Sequence, residues 1–487
     1  MRLSRRDVWV LGGVAALGGA VYLLVSWYVF WIGFPLDDAW IHQTYARNLA
    51  QLGQWAFVPG KISAGSTAPL WSLLLAIGHL FPGNFFYVWT YGMGVLVLWG
   101  TAVLVELWAR NLNERWQPRW PWIGLLVVGE WHLVWASVSG METVLAALVV
   151  AAVFVAIQKR RWWLAGGLAG MGVWVRPDML TLLGPIALAL WMSQSGWGGK
   201  RRGFFWGVLG FGMFFVPYLA FNQWLAGEVW PNTFYAKQAE YAVLLQEPLL
   251  VRLGRLLTLP LVGTGTLLLP GVVMFGWQAV RERCVDMMGA LLWWGGYTVL
   301  YALRLPVVYQ HGRYLMPAMP IFWVAGVLGT FALLQALPLV QKWRRRATMF
   351  VGLSIGLVNA AFWGLGAWTY GQDVAIIETE MVAAARWIHE NTPSDSLIAA
   401  HDIGALGYFG GREIVDLAGL VSPEVIPFIR DEKELDLYLQ QVGAEYLMTF
   451  PEWYPHLTMG RRAVFITGAM FAPRQGGENM AIYVLKE

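Results

Sequence analysis

Long stretches of the chain carry no Asp, Glu, Lys or Arg: residues 8–36, 62–105, 179–199, 203–227, 256–280, 314–341 and 347–372. Most exceed the roughly 18–20 apolar residues that span a bilayer as a helix, and the pattern predicts a polytopic α-helical membrane protein. The first run is longer than a signal-peptide core and lacks a following small-x-small cleavage site, so it reads as a retained span. After residue 371 the pattern changes. Residues 374–390 have helical periodicity (Val374, Ile377, Met381, Ala384, Trp387, Ile388), and short strand-like runs follow at 397–400, 413–417, 445–450, 463–467 and 481–485. A membrane domain over 1–371 and a soluble α/β domain over 372–487 are expected.

Basic residues in short loops set the orientation. Six clusters occur: Arg2/Arg5/Arg6, Arg110/Arg115/Arg119, Lys159/Arg160/Arg161, Lys200/Arg201/Arg202, Arg281/Arg283 and Lys342/Arg344/Arg345/Arg346. Placing all of them in the cytoplasm requires an even number of crossings between neighbours. Spans near 8–31, 85–108, 120–138, 142–158, 163–175, 178–193, 204–225, 256–280, 287–303, 314–338 and 347–369 satisfy that rule. These eleven crossings would put the amino terminus inside and the carboxyl-terminal domain outside the cytoplasmic membrane. The stretch 68–81, bounded by Pro69 and Pro82, is too short for a span and is expected at the outer interface.

Composition sharpens this. Only 13% of the residues are charged, against about a quarter in soluble proteins, which excludes a soluble enzyme. Residues 1–371 hold 26 basic and 13 acidic side chains, whereas 372–487 hold 8 and 17, consistent with two environments. The single cysteine, Cys284, excludes a disulfide framework and a Cys-based metal site.

With this topology the unusual polar residues fall on the outer side. Asp37 and Asp38 follow Phe34-Pro35-Leu36 and open a helical stretch marked by Trp40, Tyr45, Leu49 and Leu52. A helix cap accounts for one carboxylate but not two. Adjacent carboxylates repel, so one is driven toward the neutral form or both share a cation; either suits a general base or a metal site. Glu142 lies between the third and fourth expected spans, where a solvated first-turn acid is the alternative. Arg176-Pro177-Asp178 pairs a cation with an acid, either as a local ion pair or as part of a site. Asn232 and Lys237 stand in Trp230-Pro231-Asn232-Thr233-Phe234-Tyr235-Ala236-Lys237, with snorkelling as the alternative for the lysine. His311, Arg313 and Tyr314 precede the tenth expected span; a His and an Arg two residues apart suit a phosphate. His401 and Asp402 follow a strand of the tail and either face the membrane site or serve as turn residues; their surroundings are not a GxGxxG, so no nucleotide cofactor is expected. Nucleic acid is not an expected partner.

These motifs occur in a familiar order: Asp37-Asp38 with Tyr45-Ala46-Arg47-Asn48, Gly65-Ser66-Thr67-Ala68-Pro69-Leu70-Trp71, Gly140-Met141-Glu142-Thr143, Arg176-Pro177-Asp178, Pro231-Asn232-Thr233-Phe234-Tyr235-Ala236-Lys237, Arg313-Tyr314 and His401-Asp402-Ile403-Gly404. Along nearly its whole length the chain resembles the polytopic GT-C glycosyltransferases, most nearly the bacterial branch that includes mycobacterial terminal arabinofuranosyltransferases. Ala68 stands where that pattern carries Ser. The resemblance implies a sugar donor on a polyprenyl phosphate, a hydroxyl acceptor on a glycan, lipid or protein of the cell envelope, and a catalytic base in the first external loop, matched here by Asp37 and Asp38, with family analogy favouring Asp37 as the base and Asp38 as its partner or cation ligand. A divalent cation at that pair is compatible with it.

Physical chemistry points the same way. Nucleotide sugars are absent outside the cytoplasmic membrane, so transfer there needs a lipid-linked donor. Its phosphate would sit at headgroup depth near Arg176, Lys237, His311 and Arg313, which would stabilise charge on the leaving group. The competing reading is a transporter or flippase for a lipid-linked sugar. Paired inverted repeats and midplane broken helices would mark it, and the sequence shows neither.

Overall fold

The computed structural model describes residues 3–113 and 116–486. Arg2 and Arg115, members of two basic clusters, lie outside the described residues. The first helix, Arg5–Val29, is capped by the Ser4 hydroxyl, which accepts from the Asp7 amide at 3.1 Å. The chain then breaks through Pro35 and restarts as Asp37–Leu52, closed by Gly53 in the left-handed region at φ 66°. A small hairpin follows, β1 (Ala56–Val58) paired with β2 (Lys61–Ile62). The stretch expected at the interface forms a short helix, Pro69–Ala76, with a tighter turn to Leu80.

Among the described residues five helices are long and apolar enough to cross a membrane by length and composition, six if one bent pair counts as a single span. They include Phe85–Leu112, Trp197–Ala226 and a 51-residue rod from Gln341 to Asn391. Exposed Phe204, Leu209, Met213 and Val216 on the second of these, and Leu353 and Leu357 on the third, form apolar faces suited to lipid.

Of the remaining expected spans, 287–303 forms one continuous 20-residue helix, Val285–Arg304, and the others are shorter or broken. The stretch 120–138 forms two helices, Trp122–Gly129 and Trp131–Ser137, interrupted at Glu130. The Glu130 carboxylate accepts from the His132 amide at 2.9 Å and from His132 Nδ1 at 2.7 Å, so this buried pair is a helix-capping device. The stretch 256–280 is not straight. Leu249–Leu261 meets Gly265–Arg281 at 108°, because Pro260 offers no amide and Gly263 turns at φ 103°. Residues 162–191 form two short helical segments joined at Arg176-Pro177-Asp178.

The long final helix runs through the expected domain boundary at 371 and ends only at Asn391. Five strands follow: β3 (Leu397–Ala400), β4 (Glu413–Asp416), β5 (Tyr446–Thr449), β6 (Ala463–Ile466) and β7 (Ala481–Val484). Their order is β4-β3-β5-β7-β6, parallel among the first three and antiparallel beyond. Side chains alternate faces along a strand. Ile398, Ala400, Met448 and Ile482 join the large core continuous with the helices, whereas Ala399, Val415 and Leu447 pack with Leu435 and Leu439 in a second core. Glu380, fully buried, accepts from Asn479 Nδ2 at 3.0 Å and from the Met480 amide at 2.8 Å, tying the rod to the sheet.

Candidate active site

The Asp37–Leu52 helix begins with the carboxylate pair, and the two acids have different partners. Asp37 Oδ2 accepts from the Gly404 amide at 2.6 Å and Oδ1 from the Ala405 amide at 2.8 Å, at the start of the helical segment 404–410. A Cβ at Gly404 would lie 2.0 Å from the Asp37 carbonyl oxygen, so this docking requires glycine. Burial and the nearby Asp402 carboxylate push Asp37 up to about 8, against the pull of the two amides. Asp38 instead forms an ion pair with Arg313. Burial disfavours its charge, but Arg313 and Lys237 overcome that cost and hold it below the usual carboxylate range. Its side chain keeps 32% of its surface, while Asp37 keeps 8% as a residue. The pair thus splits into an anchored acid and an accessible one.

Tyr314 is the hub of the cations. Lys237 Nζ and Arg313 Nη2 each donate to its hydroxyl at 3.2 Å, and Arg176, Lys237 and Arg313 all lie 5.0–5.5 Å from its ring centre. Their pairing differs. Arg176 Nη2 bonds Asp178 at 2.8 Å, and Tyr297 donates to the same carboxylate at 2.7 Å, so this cation is locally neutralised. Arg313 is 4% exposed, and its Nε and Nη1 have no hydrogen-bond partner.

Two cavities meet at this cluster. The first, about 390 Å³, has apolar walls including Leu180, Trp230, Phe234, Leu300 and Leu305, and it reaches Glu142, Arg176 and Asp178. The second, about 640 Å³, lies beneath the tail and is lined by Asp37, Glu240, His401, Asp402, Trp453 and Tyr454 among others. Asp38, Ile41, Lys237, Arg313, Tyr314 and Leu420 line both. His401 is held by Tyr454 at 2.8 Å and Glu240 at 3.3 Å. Burial and the charges of Asp38 and Glu240 raise Asp402 to about 6, with His401 opposing.

Two expected site residues are not gathered in. His311 Nε2 bonds Asp373 at 2.8 Å, and its ring lies against Trp131 and Trp135, away from both cavities. Gln310, His311 and Gly312 all have positive φ, a turn that separates the imidazole from Arg313. Asn232 starts the helix Asn232–Glu240, but Thr233, Phe234, Lys237 and Gln238 are the residues of that helix that line the first cavity. Both carboxylates already have partners, Asp37 two backbone amides and Asp38 the Arg313 guanidinium. Among the described residues no group of three His, Cys, Asp or Glu is placed to hold a metal ion.

Sequence reasoning missed His42 and Glu240. His42 lies one turn beyond Asp38, an i to i+4 spacing that places both on one helix face. Glu240 stands three residues after Lys237 on another short helix. Both spacings were visible, but neither residue carried a motif.

A family model described as "Domain of unknown function (DUF8728)" matches residues 370–483. No curated protein matches. Among solved structures, ArnT from Cupriavidus metallidurans bound to undecaprenyl phosphate aligns with a TM-score of 0.61 at 15% identity, covering 98% of each chain. The apo oligosaccharyltransferase of Archaeoglobus fulgidus aligns with a TM-score of 0.61 at 11% identity, over 92% of this chain and 70% of that one. The same organism's AglB, in complex with an inhibitory peptide and a dolichol-phosphate, gives 0.57 at 11% identity. These neighbours are GT-C glycosyltransferases, and the chain shares their polytopic helical fold.

Proposed function

We propose that this protein is an integral membrane glycosyltransferase that moves a sugar from a polyprenyl-phosphate donor to a hydroxyl of an acceptor. One observation carries the reading: Asp38, Arg313 and Lys237 stand where an apolar, cation-lined cavity meets a polar one. The apolar cavity suits a lipid-linked donor, and the polar cavity, with carboxylates and the exposed Trp453, suits an acceptor rich in hydroxyls.

Asp38 takes the proton of the acceptor hydroxyl as its oxygen attacks the anomeric carbon. The bond from that carbon to the phosphate oxygen breaks, and its electron pair leaves on the polyprenyl phosphate. Arg313 and Lys237 stabilise the charge that develops there. Attack opposite the leaving group inverts the anomeric centre. The neighbours' undecaprenyl and dolichol phosphates support a polyprenyl carrier, and the order of motifs makes arabinofuranose the first sugar to test.

The purified protein, given undecaprenyl-phosphate arabinofuranose, mannose or glucose with a glycan acceptor, is expected to release lipid phosphate from one of them. Movement of an intact lipid-linked sugar between leaflets without such release would favour a flippase instead. The reading also places the tail outside the cytoplasmic membrane. External protease on intact cells should therefore digest 397–484, and protection of that segment would overturn the eleven-crossing topology.

A further inference from the structure

Glu142 is only 7% exposed and lines the first cavity, yet its Oε2 accepts no hydrogen bond. His42 Nε2 lies 3.5 Å from it, longer than an ordinary hydrogen bond. His42 is 4% exposed and fixed from behind, with Nδ1 2.9 Å from the Ser72 hydroxyl, which is 2.9 Å from the Ser66 hydroxyl. A buried carboxylate oxygen without a hydrogen bond is costly, and although no atom fits between groups 3.5 Å apart, one beside them in the cavity can reach both.

The chemistry of that position is specific. When the Ser72 hydroxyl donates to Nδ1, Nε2 carries a proton and presents a donor, while Glu142 presents an acceptor. A group that accepts from one and donates to the other is a hydroxyl. That position belongs to the first cavity alone, since neither residue lines the second. It also lies at a defined distance from the proposed base. Asp38 and His42 share a helix face one turn apart, a rise of about 6 Å, comparable to the breadth of a sugar ring.

We infer that Glu142 and His42 form the donor-sugar subsite, bridged by one ring hydroxyl of the sugar when its anomeric carbon lies at Asp38. This rests on the proposed glycosyl transfer and adds a specificity element to it. The enzyme takes sugars that carry a free hydroxyl at C2 or C3 and rejects the matching deoxy sugar.

The test uses the full-length protein and compares kcat/KM for the accepted undecaprenyl-phosphate sugar with that for its 2-deoxy and 3-deoxy forms. The wild type is expected to reject one deoxy form by at least about a hundredfold, as sites built to bind a hydroxyl do. Glu142→Met fills the space without an acceptor and should bring that ratio to near one, by lowering the rate with the parent sugar alone. Glu142→Gln keeps an acceptor and should retain part of the discrimination; it also reports if the Met variant does not fold. A wild type indifferent to both deoxy forms overturns the inference while leaving glycosyl transfer intact. So do variants that lose parent and deoxy rates in equal proportion. A wild type that uses no lipid-linked sugar overturns the proposed function first, and the subsite with it.

Discussion

Asp38→Asn is expected to lower kcat by about 10²- to 10⁴-fold, the range typical of losing a positioned general base, with no rise in donor KM. Asparagine keeps the size of the side chain and can still accept a hydrogen bond from Arg313, but it cannot take a proton. Removing the carboxylate also removes the competitor of the donor phosphate for Arg313, so ground-state binding should hold or tighten. Asp37→Asn should behave differently. Both Asp37 oxygens accept backbone amides, from Gly404 and Ala405, and an amide side chain can satisfy only one of them. The unmet donor should cost about 1–3 kcal/mol of stability, seen as a lower melting temperature, with a smaller effect on kcat. The assignment fails if Asp37→Asn abolishes turnover in a normally folded protein while Asp38→Asn works at the wild-type rate. In that event Asp37 is the base and Asp38 is only the counter-ion of Arg313.

Much of this fold is legible in the charge-free runs, because a helix in lipid must be apolar along its length. Breaks within those runs are harder to read. Glu130 looks anomalous in sequence because an internal charge suggests chemistry, yet it caps a second short helix. Pro260 and Gly263 announce a break, but the 108° turn depends on tertiary packing. The strands of the tail are readable as short apolar runs, and β3 and β5 bury both faces, with Ile398, Ala400 and Met448 in one core and Ala399 and Leu447 in the other.

At the site, proximity in sequence proved a poor guide to proximity in space. His311 is two residues from Arg313, but consecutive left-handed residues, only one of them glycine, send it to Asp373. Glu142 and His42 are 100 positions apart and face one another. Asp37 and Asp38 are adjacent, and the start of a helix sends their side chains to different partners.

Arg313→Ala is expected to weaken donor use by about 2–5 kcal/mol, a loss of roughly 30- to several thousand-fold in kcat/KM for the lipid-linked sugar. Arg313 has free capacity: among the described residues Nε and Nη1 lack partners, while Nη2 serves Asp38 and Tyr314. Lysine carries one compact charge and cannot keep the Nη2 contacts to Asp38 and Tyr314 while reaching a phosphate as Nε or Nη1 can, so Arg313→Lys should recover only part of the loss. Arg176→Ala provides the contrast. Arg176 is already paired with Asp178, and its removal leaves that carboxylate with only Tyr297 and Tyr301. Its main effect should be on thermal stability. Measured with the same donor and acceptor, the two variants separate a phosphate ligand from a structural ion pair. If Arg313→Ala folds normally and keeps wild-type donor kinetics, the phosphate does not bind at Tyr314. If Arg176→Ala instead loses donor use without loss of stability, the leaving group lies on the Arg176 side of the first cavity.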